Sequence, residues 1–198
     1  MPAETAPSLI LAFDTSGPYC AATLWRDGRA IATIVEPMKR GQAERLMPLL
    51  EEMLAQTGTG WRDLDAIGVG IGPGNFTGIR ISVSAARGLA MGLNIPAVGV
   101  STFQAISIDH TESHLAAVPA PRDQLYILSP SMDAPELVQA PVRTDLPVHL
   151  PPPAEGLVQN IARVATQQAA SNPPRPAPLY IKPADAAPPR DPAPVILE

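Results

Sequence analysis

Five groups of residues are of a type and spacing that could do chemistry. Asp14-Thr15-Ser16 sets a carboxylate and two hydroxyls directly after the apolar run Leu9 to Phe13, and such a set at a strand end can hold a metal-bound nucleotide. An aspartate there also accepts from backbone N–H groups two residues on, a turn-forming role that the residue types favour. Gly72-Pro73-Gly74-Asn75-Phe76-Thr77-Gly78 joins an apolar run to a helical pattern. Glycines in that place either cradle a phosphate on backbone N–H groups or let strand and helix pack closely. The spacing fits neither a Walker loop nor a dinucleotide fingerprint, so close packing is the stronger reading. Asp14, Thr15, Ser16, Gly72 and Gly74 form the candidate nucleotide-binding set.

His110 and His114 frame Thr111-Glu112-Ser113. On a helix that spacing offers two imidazoles to one metal, which would suit a metal-dependent hydrolase. Here it falls in a loop-like stretch, so a solvated loop is expected and no metal site is assigned. His149 lies between proline-rich segments with no visible partner. Cys20 sits inside a strand pattern among apolar neighbours, with nothing to lower its pKa, and reads as a small buried side chain. Arg80 and Arg87 share a helix face with Ser84 and suit carboxylates on a partner helix.

The elements that must position these groups follow from periodicity. Leu9 to Phe13 is a buried strand ending in the turn formers Asp14 to Pro18. Cys20 to Trp25 and Ala30 to Val35 flank Asp27-Gly28, a hairpin signal. Gln42 to Thr57 is an amphipathic helix closed by Gly58, with a kink or late start expected at Pro48. Asp65 to Ile71 is a short strand, Thr77 to Leu93 a helix, and Ala97 to Val100 the next strand. In the second helix Ile79, Val83, Ala86 and Ala90 form one stripe and Ile81, Ala85, Leu89 and Gly92 another. Gly78, Ser82, Ala86 and Ala90 recur every four residues and admit a close helix neighbour. So much apolar surface calls for a second cover, from the first helix or from another subunit. Further on, Phe103 to Ile108 suggests a short helix, Leu115 to Val118 and Gln124 to Leu128 strands, and Ala154 to Ala170 a helix.

Composition narrows the classes. The chain has 198 residues, 14 basic and 19 acidic side chains, and a formal charge of -5. An acidic chain without a Lys/Arg cluster is a poor nucleic-acid binder alone. One cysteine cannot form an internal disulfide, which fits a reducing compartment. No signal-peptide pattern opens the sequence, and the uncharged run Gly88 to Ile108 contains turn residues, so no membrane span is expected. Proline is enriched after Pro119, and residues 184–198 read as a flexible tail.

Asp14-Thr15-Ser16, Gln42-Ala43-Glu44-Arg45-Leu46 and Gly72-Pro73-Gly74-Asn75-Phe76-Thr77-Gly78-Ile79-Arg80 together resemble the TsaB (YeaZ) family. Val98-Gly99-Val100-Ser101-Thr102 and Pro178-Leu179-Tyr180-Ile181-Lys182 are similar to two further family segments. The resemblance implies an α/β fold of the actin-like/Hsp70-like (ASKHA) class, with an N-terminal lobe over residues 1–101 and a reduced second lobe over 102–183. It implies a cytoplasmic, non-catalytic scaffold in the machinery that places threonylcarbamoyl on the adenosine beside the tRNA anticodon. The implied partners are a TsaD-like catalytic subunit and a TsaE-like ATPase, with tRNA met only through the complex, ATP and metal held by the partner subunits, and a homodimer in isolation. The implied TsaD contact is the helix pair, through Leu46, Leu49, Leu50, Met53, Arg80, Ile81, Ser82, Ala85, Ala86 and Leu89. Two positions depart from the family pattern: Gln42 replaces a frequent histidine, and Pro119-Ala120-Pro121 a frequent Asp-Ala-Arg. The competing reading is a small ASKHA-type phosphotransferase or nucleotide-binding enzyme using Asp14 and the glycine turn.

Overall fold

A computed structural model describes residues 9–181; the stretch 184–198 read as a tail lies outside them. Three strands open the chain, β1 (Leu9–Asp14), β2 (Tyr19–Arg26) and β3 (Arg29–Pro37). The β2–β3 turn places Asp27 and Gly28 at positive φ, the backbone that this hairpin type requires. After α1 (Gln42–Gln56) come β4 (Ala66–Gly70), α2 (Phe76–Leu93) and β5 (Ala97–Val100). The five strands form one sheet in the order β3-β2-β1-β4-β5. The first three pair antiparallel, and β1–β4 and β4–β5 pair parallel. This meander with a helical crossover is the lobe expected of the actin-like class.

Because successive strand residues face opposite sides, β1 serves two cores. Leu9, Leu11 and Phe13 pack with Leu46, Leu49, Leu50 and Met53 of α1 and Ile79, Val83 and Ala86 of α2. Ile10 and Ala12 pack on the other face against α4 (Ala154–Gln168), through Leu157, Ile161 and Ala165. Helix α4 thus covers the first sheet although it follows the second sheet in the chain. Pro48 neither delays nor ends α1, which begins at Gln42 and runs through it. Arg45 fixes the outer side of that helix, reaching Glu36 of β3 with Nε at 2.7 Å and Glu52 with Nη1 at 2.7 Å. It holds both carboxylates below their ordinary value near 4.5. Arg45→Ala is therefore expected to lower the melting temperature slightly at neutral pH. The loss should shrink in high salt and fade as the pH falls from about 4.5 through the lowered values, because depressed carboxylates lend stability only while ionised. Melting curves of the two proteins across pH check this.

The second sheet contains β6 (Leu115–Ala120), β7 (Gln124–Leu128), β8 (Glu136–Gln139) and β9 (Val148–His149), in the order β8-β7-β6-β9. Its first three strands again run antiparallel and its fourth lies parallel to the first. It therefore repeats the pattern of the first sheet without the fifth strand. Phe103 and Ile106 of α3 (Thr102–Ser107) cover one face, against Ala116 and Val118. Pro119 is accommodated because β9 pairs only with Leu115 and Ala116, so no neighbour on that side needs the missing N–H. Among the described residues, no helix is long and apolar enough to cross a membrane.

Candidate functional site

The turn after β1 and the glycine segment before α2 meet in space, as their chemistry suggested. Asp14 is buried, and one carboxylate oxygen, Oδ2, accepts from the Ser16 N–H at 3.1 Å, the Ser16 hydroxyl at 2.8 Å and the Tyr19 hydroxyl at 2.7 Å. Burial pushes its pKa above the usual value, and the three donors pull the other way. Thr15 donates its hydroxyl to the Gly78 carbonyl at 2.7 Å. The Asn75 N–H donates to the Ser16 carbonyl at 2.7 Å, and the Asn75 side chain caps α2 by accepting from the Gly78 N–H at 2.8 Å. Gly72 has φ +94 and its carbonyl accepts from the Thr102 N–H at 2.8 Å.

The glycines are there for close approach. A Cβ on Gly78 would stand 1.9 Å from the Thr15 carbonyl oxygen, and one on Gly74 would stand 2.7 Å from that of Ser16. The five candidate nucleotide residues are thus adjacent, but Asp14 Oδ2 is taken up by Ser16 and Tyr19, Thr15 by Gly78 and the Gly72 carbonyl by Thr102. Among the described residues no buried side-chain oxygen or nitrogen lacks a partner. An open cleft of about 600 Å³ lies beside this turn, with Lys39, Arg40 and Gln42 on one wall and Ser16, Asn75 and Thr77 on the other. The two cations precede α1 in a loop, where no periodic pattern marked them.

The helix-pair surface differs from the expected one. Leu46, Leu49, Leu50 and Met53 are enclosed in the chain's own core, as are Ser82 and Ala86. Their stripe is the face each helix turns toward the first sheet; Ser82 donates to the Gly70 carbonyl at 3.3 Å. Six of the ten expected contact residues are therefore unavailable, and the four-residue repeat of small side chains serves α2's approach to its own sheet. Ile81, Ala85 and Leu89 are only partly covered, and Arg80 is exposed. Gly88 and Gly92 have open space where a Cβ would point, and Met91 is 82% exposed.

Arg80 is held by its own chain. Its Nε donates to the Tyr180 hydroxyl at 2.8 Å, its guanidinium lies 3.8 Å over the Phe76 ring, and the two rings stack at 4.8 Å. Tyr180 arrives because the Leu179 N–H donates to the Ile71 carbonyl at 2.8 Å, laying that segment along the end of β4. This contact spans 100 residues; the sequence marked the segment Pro178-Leu179-Tyr180-Ile181-Lys182 but not its partner.

The histidines also depart from expectation. His114, placed in a solvated loop, is buried, and His149, read as having no partner, stacks on His110. Among the described residues no set of three histidine, cysteine or acidic side chains is arranged to hold a metal ion. Cys20 is buried, and desolvation followed by the nearby Glu36 charge pushes its thiol up to about 11, far from a nucleophile's range.

A family model described as TsaD, tRNA N6-adenosine threonylcarbamoyltransferase, matches residues 33–133, about half of the chain. The tRNA threonylcarbamoyladenosine biosynthesis protein TsaB of Escherichia coli is 40% identical over 98 residues, which are 50% of this chain and 42% of that protein. The protein of the same name from Haemophilus influenzae is 32% identical over 141 residues, 69% of this chain and 56% of the relative. The chain spans about half the length of the curated relatives it matches. A Pseudomonas aeruginosa structure described as an uncharacterized protein with similarity to peptidase YEAZ superposes with a TM-score of 0.67 at 24% identity, covering 88% of this chain and all of the other. That likeness carries the fold. The chain belongs to the TsaB (YeaZ) family.

Proposed function

We propose that this protein is a non-catalytic subunit in the biosynthesis of tRNA threonylcarbamoyladenosine, and that it acts by binding and positioning a TsaD-like catalytic subunit. The names of its relatives support the pathway. The outer face of α2 supports the binding role. Glycine inside a helix lowers stability by about 1 kcal/mol relative to alanine, yet nothing among the described residues approaches Gly88 or Gly92 closely enough to need one. Flanked by Ile81, Ala85 and Leu89, they form a smooth apolar strip on which a helix of another chain can lie. In this reading ATP, its metal and the TsaE-like ATPase act at or through the partner, tRNA is met only in the complex, and the work is done in the cytoplasm. Without its partner, the strip closes a homodimer. One Asp14 oxygen already accepts from Ser16 and Tyr19, and the Thr15 hydroxyl is spent on Gly78, which weighs against the phosphotransferase reading.

The test compares Gly88→Arg with Ala86→Arg in co-purification with the TsaD-like subunit of the same cell. Gly88→Arg is expected to melt within a few degrees of the parent and to lose the partner by at least tenfold. Ala86→Arg places a charge in the core and is expected to unfold the chain. Recovery of the partner by Gly88→Arg at the parental level would refute the proposed surface.

A further inference from the structure

Three histidines from two distant stretches of the chain meet at one end of the second sheet. His110 and His114 belong to the turn between α3 and β6, and His149 is the second residue of β9. The imidazoles of His110 and His149 lie face to face, with centroids 3.6 Å apart and planes 12° from parallel. His114 stands tilted to one and edge-on to the other, at 5.2 and 5.4 Å. The three line a recess of about 340 Å³ together with Asp109, Glu112 and Pro147.

His114 is committed on both nitrogens. Its Nδ1–H donates to the Glu112 carbonyl at 2.8 Å, and Nε2 shares a proton with the Ser107 hydroxyl at 2.8 Å. A carbonyl only accepts, so Nδ1 carries hydrogen, and the neutral ring satisfies both partners. The surrounding charges are Asp109 and Glu112 from the turn, Arg163 from α4, and Asp133 beyond His114. Asp109 is engaged by Arg163 at 2.9 and 2.6 Å and also interacts with the His110 charge, so the carboxylate that could offset a charge on the stack is already shared with Arg163. Two neutral imidazoles, or one neutral and one charged, stack without penalty, whereas two imidazolium ions face to face repel.

The stack joins β9 to the turn. Otherwise β9 is held by the register of Val148 with Leu115 and His149 with Ala116, and by the Leu115 N–H donating to the Pro147 carbonyl at 2.9 Å. We propose that the His110–His149 stack is a proton-operated latch, which keeps β9 on the edge of the second sheet while a ring is neutral and releases it when both are charged. Release bares the edge of β6, a row of backbone groups able to pair with another strand. Partial burial, followed by the two neighbouring imidazoles, lowers the His149 pKa from its ordinary 6.5. The released strand then takes up protons more readily, so the latch is fully closed above about pH 6.5 and opens as the pH falls below it.

Amide hydrogen exchange on the full chain, corrected for the intrinsic rate at each pH, tests this. Protection of the Leu115 amide is expected to fall at least tenfold between pH 7.5 and 5.5, while Phe13 and Val69 in the first sheet keep theirs. His110→Gln and His149→Gln, which cannot take up the charge, are each expected to abolish that pH dependence. An NMR titration of the parent should place the His149 midpoint below 6.5 and coincident with the loss of protection. Equal protection of Leu115 at both pH values overturns the latch. So does an unchanged pH dependence in both variants, or a His149 midpoint at or above 6.5.

Discussion

Gly78→Ala is expected to destabilise the protein by roughly 3 kcal/mol or more, although alanine is the better helix former. Gly78 is the third residue of α2, and the added methyl would be built 1.9 Å from a backbone oxygen, that of Thr15. A flexible side chain could swing away; a carbonyl inside the β1 turn cannot. Relief requires moving the start of α2, which would break the Thr15 hydroxyl bond to the Gly78 carbonyl and the Asn75 N–H bond to Ser16. Gly88→Ala is the internal control, because open space surrounds that position. There the change is expected to raise stability by about 0.5–1 kcal/mol. Urea-unfolding midpoints of the two variants should therefore move in opposite directions. A Gly78→Ala midpoint equal to that of the parent would mean that α2 does not sit this close to the turn.

Asp14→Ala is expected to lower stability by about 2–5 kcal/mol. It leaves the Ser16 N–H, the Ser16 hydroxyl and the Tyr19 hydroxyl without their shared acceptor in a buried place. The effect should appear in thermal melts with no nucleotide added, since the aspartate's work here is done on its own chain. A phosphotransferase would behave differently: Mg-ATP would stabilise the parent saturably, and Asp14→Ala would lose that response with little change in its ligand-free melt. The pH dependence has a definite sign. Burial raises the Asp14 pKa, so the folded state binds this proton more readily than the unfolded one, and the group's contribution is greatest below the ordinary value of 3.8. It declines as the pH rises through the raised value, and acid unfolding of the parent therefore has to start elsewhere.

Local signals carried the first sheet. The continuous apolar run of β1, Asp27-Gly28 between β2 and β3, and the spacing of Leu46, Leu50 and Met53 each specify an element within a few residues of itself. Asp14-Thr15-Ser16 and the glycine segment were grouped by their residue types alone, and it is the parallel pairing of β1 with β4 that brings them together. What the periodicity of α1 and α2 could not say is which apolar stripe meets this chain's own sheet. That depends on how far each helix sits from β1 and β4, and it placed Leu49 and Ala86 inside rather than outside. The short strands β8 and β9 were missed because four and two residues are too few to show alternation. Arg80 with Tyr180, and His110 with His149, are pairings across long separations that only the folded topology brings about.

The position of α4 also sets an order of events during synthesis. Ile10, Ala12, Ala66 and Val98 emerge early, but the face they share is covered by residues 154–168. A nascent chain therefore carries a bare apolar sheet face while the whole second sheet is made, and only then receives its lid. Closing that gap across more than a hundred residues is slow compared with forming the β2–β3 hairpin. For that interval the exposed sheet is the surface most open to wrong partners, and to the holding chaperones that guard against them.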